Sequence, residues 1–140
     1  MLHFLIKTHK NGTHYNQPHF FILNKGMNSG KPQKESFTNS FVIICKSENE
    51  AENSFWIAFS LWKSQFWHQH LIGSVIPFIR LTEFQKEFIN KANQLMQEHE
   101  EHQKNIEALK RLEQQEKKFH QNINLINDLR RVILYRYLNK

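Results

Sequence analysis

Glycine and proline are scarce in this chain, and beyond residue 81 they are absent: all four Gly and all three Pro lie earlier. Nothing in the backbone of Thr82–Lys140 therefore compels a turn, and the stretch is dense in Glu, Gln, Lys, Leu and Ile, which are good helix formers. The expectation is a C-terminal helical arm, roughly 85–90 Å long if it is one helix at about 1.5 Å per residue. That exceeds the diameter of a roughly 80-residue globule, so part of the arm must project, fold back or pair.

Cysteine is nearly missing too. Cys45 is the single one, which excludes an internal disulfide, and its place in the apolar run Phe41–Cys45 makes it a buried small residue suited to a reducing interior. Acidic residues are sparse before residue 80: Glu35, Glu48, Glu50 and Glu52 are all there are, and the last three lie in or beside a helix cap. No carboxylate pair suited to nuclease or glycosidase chemistry results, and a thiol in an apolar run is deactivated. The chain is expected not to be an enzyme and to need no cofactor or metal. Met1-Leu2-His3-Phe4 has no charged leader region, and no apolar stretch reaches the roughly 18 residues of a membrane span. A cytoplasmic protein without a membrane partner is expected.

What the chain does have is aromatic bulk, twelve Phe and three Trp, concentrated with the other apolar residues in the first 84 positions. Leu2–Lys7, His19–Asn24 and Ser40–Lys46 read as strands. The last two are too continuously apolar for one-sided burial and should be covered on both faces. His9–Gln17 reads as a polar loop and Gly26–Pro32 as another. Ser47-Glu48-Asn49-Glu50 is a capping box opening a helix to about Trp67, with an apolar face of Phe55, Ala58, Phe59, Trp62 and Phe66 widened by Trp56 and Leu61. In Leu71–Leu81, Gly73 breaks the chain and Pro77 restricts Val75–Ile79 to an edge strand or an extended segment. A second capping box, Thr82-Glu83-Phe84-Gln85, begins the arm. There Phe84, Phe88, Ala92, Leu95 and Met96 form a docking seam. A second seam runs through Ile106, Leu109, Leu112, Phe119, Ile123, Ile126, Leu129 and Ile133 at the spacings of a partner-seeking helix. Gln97–Asn105 and Asn122–Asn127 are the places for a bend. The fold class is α+β: a small globular domain over 1–82 with one helix on a small sheet, then a helical arm over 83–140, continuous or hairpinned.

Gly26-Met27-Asn28-Ser29-Gly30-Lys31 is not a P-loop. Three residues separate its glycines where four are needed, and Pro32 stands where Ser or Thr should follow the Lys. It is read as a tight turn displaying Lys25, Lys31 and Lys34. Nine His raise the question of metal, but His99 and His102 lack the His-Glu-x-x-His spacing, and His68 and His70 merely flank a helix end. The net charge of +6 suggests an acidic partner. On the arm, Lys104, Arg111 and Lys118 recur at seven with Lys110 and Lys117 beside them. Arg130, Arg131, Arg136 and Lys140 follow Asp128 with no acid, interleaved with Tyr135 and Tyr137. These cations either complement the helix dipole or face RNA or an acidic protein.

The run Leu23-Asn24-Lys25-Gly26-Met27-Asn28-Ser29-Gly30-Lys31-Pro32, then Asn39-Ser40-Phe41-Val42, Leu61-Trp62 and Gly73-Ser74-Val75-Ile76-Pro77-Phe78-Ile79-Arg80, resembles an uncharacterised family of small proteins on conjugative and phage-like elements of Bacteroidota. The likeness covers about Phe20 to Phe84 and implies no catalytic residue. A small basic mobile-element protein of this style is also similar to the type VI-B anti-CRISPR, an inhibitor of an RNA-guided RNase, though no motif carries that likeness. The resemblance implies a non-enzymatic inhibitor of a host ribonucleoprotein effector such as a CRISPR nuclease, bound through Lys25, Lys31, Lys34 and the basic residues of the arm. One alternative is an accessory protein that binds RNA or DNA directly. Another is a homodimeric scaffold paired through the Ile106–Ile133 seam.

Overall fold

The computed structural model describes residues 4–139. Two continuously apolar strands decide its architecture. β2 (His19–Leu23) and β4 (Ser40–Ile44) pair antiparallel with Phe21 opposite Val42, and they form the centre of a four-stranded sheet ordered β1-β4-β2-β3. β1 (Leu5–Thr8) borders β4, and the two-residue β3 (Pro32–Gln33) borders β2. Pro32 takes part at the sheet edge, the position that tolerates its missing amide. The first strand expected from sequence begins later than Leu2; Leu2 and His3 lie outside the described residues.

All of β4 and the middle of β2 are buried, which requires a cover on each face. On one, Ile6, Phe20, Ile22, Phe41 and Ile43 meet two helices, α1 (Glu48–Lys63) and α2 (Leu81–Met96). On the other, Phe21, Val42 and Ile44 lie under Tyr15. There the buried His9 is bonded through Nδ1 to the Tyr15 hydroxyl at 2.9 Å and stands edge-on to Phe21 at 4.8 Å. The 9–17 segment, a polar loop by composition, is thus the second cover of the sheet.

Ser47 caps α1 by accepting the Glu50 amide at 3.1 Å. The face that α1 buries differs from the one its large residues suggest. Ser54, Ile57, Ala58 and Leu61 are inside, while Phe55, Trp56, Phe59 and Trp62 are only half-buried. The small Ser54 and Ala58 let the helix approach the sheet closely; Ser54 Oγ satisfies itself on the Glu50 carbonyl at 2.6 Å. The aromatics are left on the helix flanks. α1 also stops at Lys63, short of Trp67, because Gln65 takes a left-handed φ of 62°. Phe66–His70 then forms a 3-10 turn that drives Trp67 into the core.

α2 starts at Leu81 with Arg80 as its N-cap, and no side chain closes a capping bond, so the expected Thr82 box does not form. Gln85 is used elsewhere: its Nε2 donates to the Ile6 carbonyl at 2.7 Å and ties α2 to β1. Phe84, Phe88 and Ala92 bury α2's apolar stripe as read from sequence, but Leu95 is exposed. The Val75–Ile79 segment makes isolated bridges only. Phe78 exchanges two 2.9 Å bonds with Ile72 across a turn that leaves Val75 and Ile76 exposed.

The helix breaks after Met96, within the interval expected to bend, and α3 (His99–Leu138) then runs 40 residues, about 60 Å. It passes through Asn122–Asn127 without interruption. Three Asn cost only fractions of a kcal/mol each, less than a second costly nucleation of helix would. Contacts group the chain into two units that meet at His99 and Glu100.

Gly30 is the most closely approached of the glycines. Its φ is +97°, and a Cβ there would lie 2.7 Å from both Cγ and Nε1 of the Trp67 indole. Gly26 has a similar φ of +88° but open space around its would-be Cβ. Gly26→Ala should therefore cost about 1 kcal/mol from backbone strain alone, whereas Gly30→Ala should cost about 3 kcal/mol or more. Denaturant midpoints of the two variants check this, and equal losses would contradict it.

Candidate binding surfaces

The Gly26–Lys31 turn spends its amides internally. Gly26 donates to Pro77, Ser29 to Gly26, Gly30 to Leu23 and Lys31 to Asn28, so these four amides are taken, and no nest for a phosphate is built from them. Of the three lysines assigned to this surface, Lys25 and Lys34 are exposed and Lys31 is half-buried. The last two sit on α1's aromatic flank: Lys31 Nζ lies 5.1 Å from the Trp62 ring and Lys34 Nζ 5.2 Å from Phe55. Phe55, Trp56, Phe59 and Trp62 run side by side with centroids 5.1–5.9 Å apart. Lys63 covers Trp62 as well, at 5.2 Å, and sequence reasoning passed over it. Its signal was there, a Lys directly after an aromatic at a helix end. Sequence reading had placed all four of these rings on the helix's apolar, sheet-packing face.

On α3, Lys104, Arg111, Lys117 and Lys118 are exposed and Lys110 is half-buried. Seven-residue spacing places Lys104, Arg111 and Lys118 on one face, and that face continues into Leu125 and Val132. Further on, Arg130 donates to Asn127 Oδ1 at 3.1 Å, and Arg131 lies 3.7 Å from the Asp128 carboxylate. Arg136 is exposed, and Lys140 lies outside the described residues. From Leu112 to Leu138, twelve large apolar or aromatic side chains are exposed, Phe119 at 62% and Ile133 at 65%. Ile126, Leu129, Arg130, Ile133 and Leu134 line a shallow groove there. Ile106, the first residue of the expected seam, is buried instead.

Two groups bear on chemistry. His70, Glu83 and Glu87 each place a donor atom within 4.8 Å of the others, the one such group among the described residues. An imidazole and two carboxylates suit a divalent metal such as Zn²⁺ or Mn²⁺. The 2.8 Å bond from His70 Nδ1 to Glu83 already accounts for two of the three. The trio was illegible in sequence because His70, read as merely flanking a helix end, is brought to α2 by the 3-10 turn Phe66–His70.

Cys45 is the other. Burial pushes its thiol up to about 12, with the Glu50 carboxylate adding to the rise and a hydrogen bond from Ser54 opposing it. Such a thiol is not a nucleophile at neutral pH. Above 9.0, its ordinary value, the unfolded chain releases the proton while the folded chain holds it until about 12. The unfolded state then binds fewer protons, so stability falls as pH rises through that window. Cys45→Ala should flatten the decline relative to the parent protein, as read from melting temperatures across that alkaline range; parallel slopes would exclude the linkage.

Fold and surfaces together define a small α+β protein with a long C-terminal helix whose distal part is both cationic and apolar. The family model described as "Family of unknown function (DUF6943)" matches residues 6–136, and the chain belongs to that family. No curated protein matches it, and no solved structure does. No helix among the described residues is long and apolar enough to cross a membrane.

Proposed function

We propose that this chain is a non-enzymatic binding protein that docks on a host ribonucleoprotein effector and inhibits it. The observation that carries the reading is the surface of α3 from Lys117 to Leu138. It bears five Lys/Arg against the single Asp128 and exposes most of its large apolar side chains. A purely nucleic-acid-facing helix has little use for exposed Leu125, Val132 and Ile133, and a purely hydrophobic dock has little use for five cations. A protein groove that lies beside bound RNA accepts both: apolar side chains fill the groove, and the cations steer the encounter and meet phosphate or carboxylate. The face that changes from Lys104, Arg111 and Lys118 to Leu125 and Val132 is the one we assign to the target. The mobile-element resemblance points to a guide-bound CRISPR nuclease of type VI-B as that target, blocked through its RNA channel.

A second reading, direct binding of nucleic acid, is favoured by the lysine-covered rings of α1, since cations interleaved with aromatics suit single strands. Pull-down of the tagged protein from host lysate, with and without RNase, separates the two. Retention of one effector after RNase is expected, together with loss of that effector's guide-dependent cleavage when the protein is added. Reversal of Lys104, Arg111 and Lys118 to Glu should weaken the complex by about tenfold or more. Broad recovery of nucleic acid, with protein partners lost on RNase treatment, would establish the second reading in its place.

A further inference from the structure

We infer that His70, Glu83 and Glu87 form a binding site for one divalent d-block metal ion, best matched by Zn²⁺. The site lies within the first unit, where the 3-10 turn meets α2, and it rests on neither reading of α3. One donor atom from each residue lies within 4.8 Å of the other two. Ligands bound at about 2.0–2.1 Å in a tetrahedron stand about 3.3–3.4 Å apart. Both carboxylates are partly exposed, so small rotations of the Glu side chains close the set around an ion.

The scaffold fixes where the three residues stand. Glu83 and Glu87 are four residues apart on α2 and share one face of the helix. Each is followed by a fully buried ring, Phe84 and Phe88, and these anchors set the helix's rotation. His70 closes the 3-10 turn, with its ring 5.3 Å from Phe66 and 6.0 Å from Trp67. Trp67 is itself buried, so the imidazole is positioned before an ion arrives, and such preorganisation lowers the cost of binding.

The charges call for a cation. Like charges at i, i+4 on a helix repel, and His70 Nδ1 serves only Glu83, at 2.8 Å. No hydrogen bond or ion pair to another described residue holds the Glu87 carboxylate. Lys91 stands at i+4, where Glu87 would find its partner, but its Nζ lies over the Phe66 ring at 5.5 Å. A divalent ion neutralises both carboxylates. Bound between His70 Nδ1 and Glu83 Oε1, it takes the place of the proton they share, which passes to Nε2 or to solvent. The imidazole selects Zn²⁺ over Mg²⁺ and Ca²⁺, hard ions that take oxygen donors. Arg80 and the positive N-terminal end of α2 oppose the ion, which keeps the affinity micromolar. Three protein donors leave the fourth position to water. An ion held there ties the 3-10 turn to α2, beside the seat of Trp67.

The test uses the full-length protein, stripped with a chelator and dialysed. Calorimetric titration with ZnCl₂ should show a tightest class of one ion per chain, with a dissociation constant of about 10 µM or below. A hundredfold excess of Mg²⁺ should not displace it. Saturating Zn²⁺ should raise the melting temperature by a few degrees, and EDTA should reverse the rise. Glu87→Gln should leave the metal-free melting temperature unchanged while weakening Zn²⁺ at least tenfold, and His70→Gln should weaken it as much. Equal affinity and stabilisation in Glu87→Gln and the parent would place the ion on other His residues and overturn the inference. Displacement by Mg²⁺ would do the same, as would no binding up to about 1 mM Zn²⁺, the outcome expected if a protonated His70 were the carboxylates' only counter-ion.

Discussion

The first unit depends on one close contact, the Trp67 indole lying against the Cα of Gly30. Only a residue without a side chain admits the ring there, and the left-handed φ of Gly30 is what turns the chain back toward β3. From that seat Trp67 reaches Phe84 at 4.8 Å and Phe66 at 5.0 Å. A single ring therefore joins the β2–β3 turn, the 3-10 segment and α2. Its Nε1 is buried without a hydrogen-bond partner, a cost of about 1–3 kcal/mol. The packing gained around so large a buried ring must exceed that. The same seat sets His70 against Glu83 as a consequence of where the 3-10 turn lies.

Around that centre the aromatics divide into two populations by the space available. Phe20, Phe41, Phe84 and Phe88 fill the layer between sheet and helices. Phe84 and Phe88 stack nearly parallel at 5.4 Å with an interplanar angle of 9°. Of the rings of α1, Phe55 reaches the edge of that layer, 5.6 Å from Phe20, while Trp56, Phe59 and Trp62 line the helix flank; Lys34 lies over Phe55, and Lys31 and Lys63 over Trp62. Such cation–π contacts contribute about 0.5–1 kcal/mol each at exposed sites, and they tie the β3 turn to the helix. Structure and recognition share these residues, because a ring with one covered face keeps the other available.

Much of this was legible in the residues. The continuous runs of β2 and β4 announced two-sided burial, the Ser47 cap announced the start of α1, and a breaker-free C-terminal stretch announced a long helix. The errors share a cause. The face of α1 was assigned by size, yet the close approach of helix and sheet favours Ser54 and Ala58. The Thr82 box was assigned by local pattern, yet Gln85 found a better acceptor on β1. In each case a contact distant in sequence outweighed a local preference of about 1 kcal/mol or less.

By itself the sequence determined the α+β class, the two central strands, the helical character of the C-terminal stretch and the seven-residue recurrence of its cations. Those features depend on backbone freedom and on periodicity, which are local properties. Tertiary structure alone decided which segment covers the sheet's second face, which side of α1 is buried, where Trp67 lies and which three residues gather at His70. Those depend on volume and on partners far away in the chain, and no local pattern encodes the room left between two packed elements.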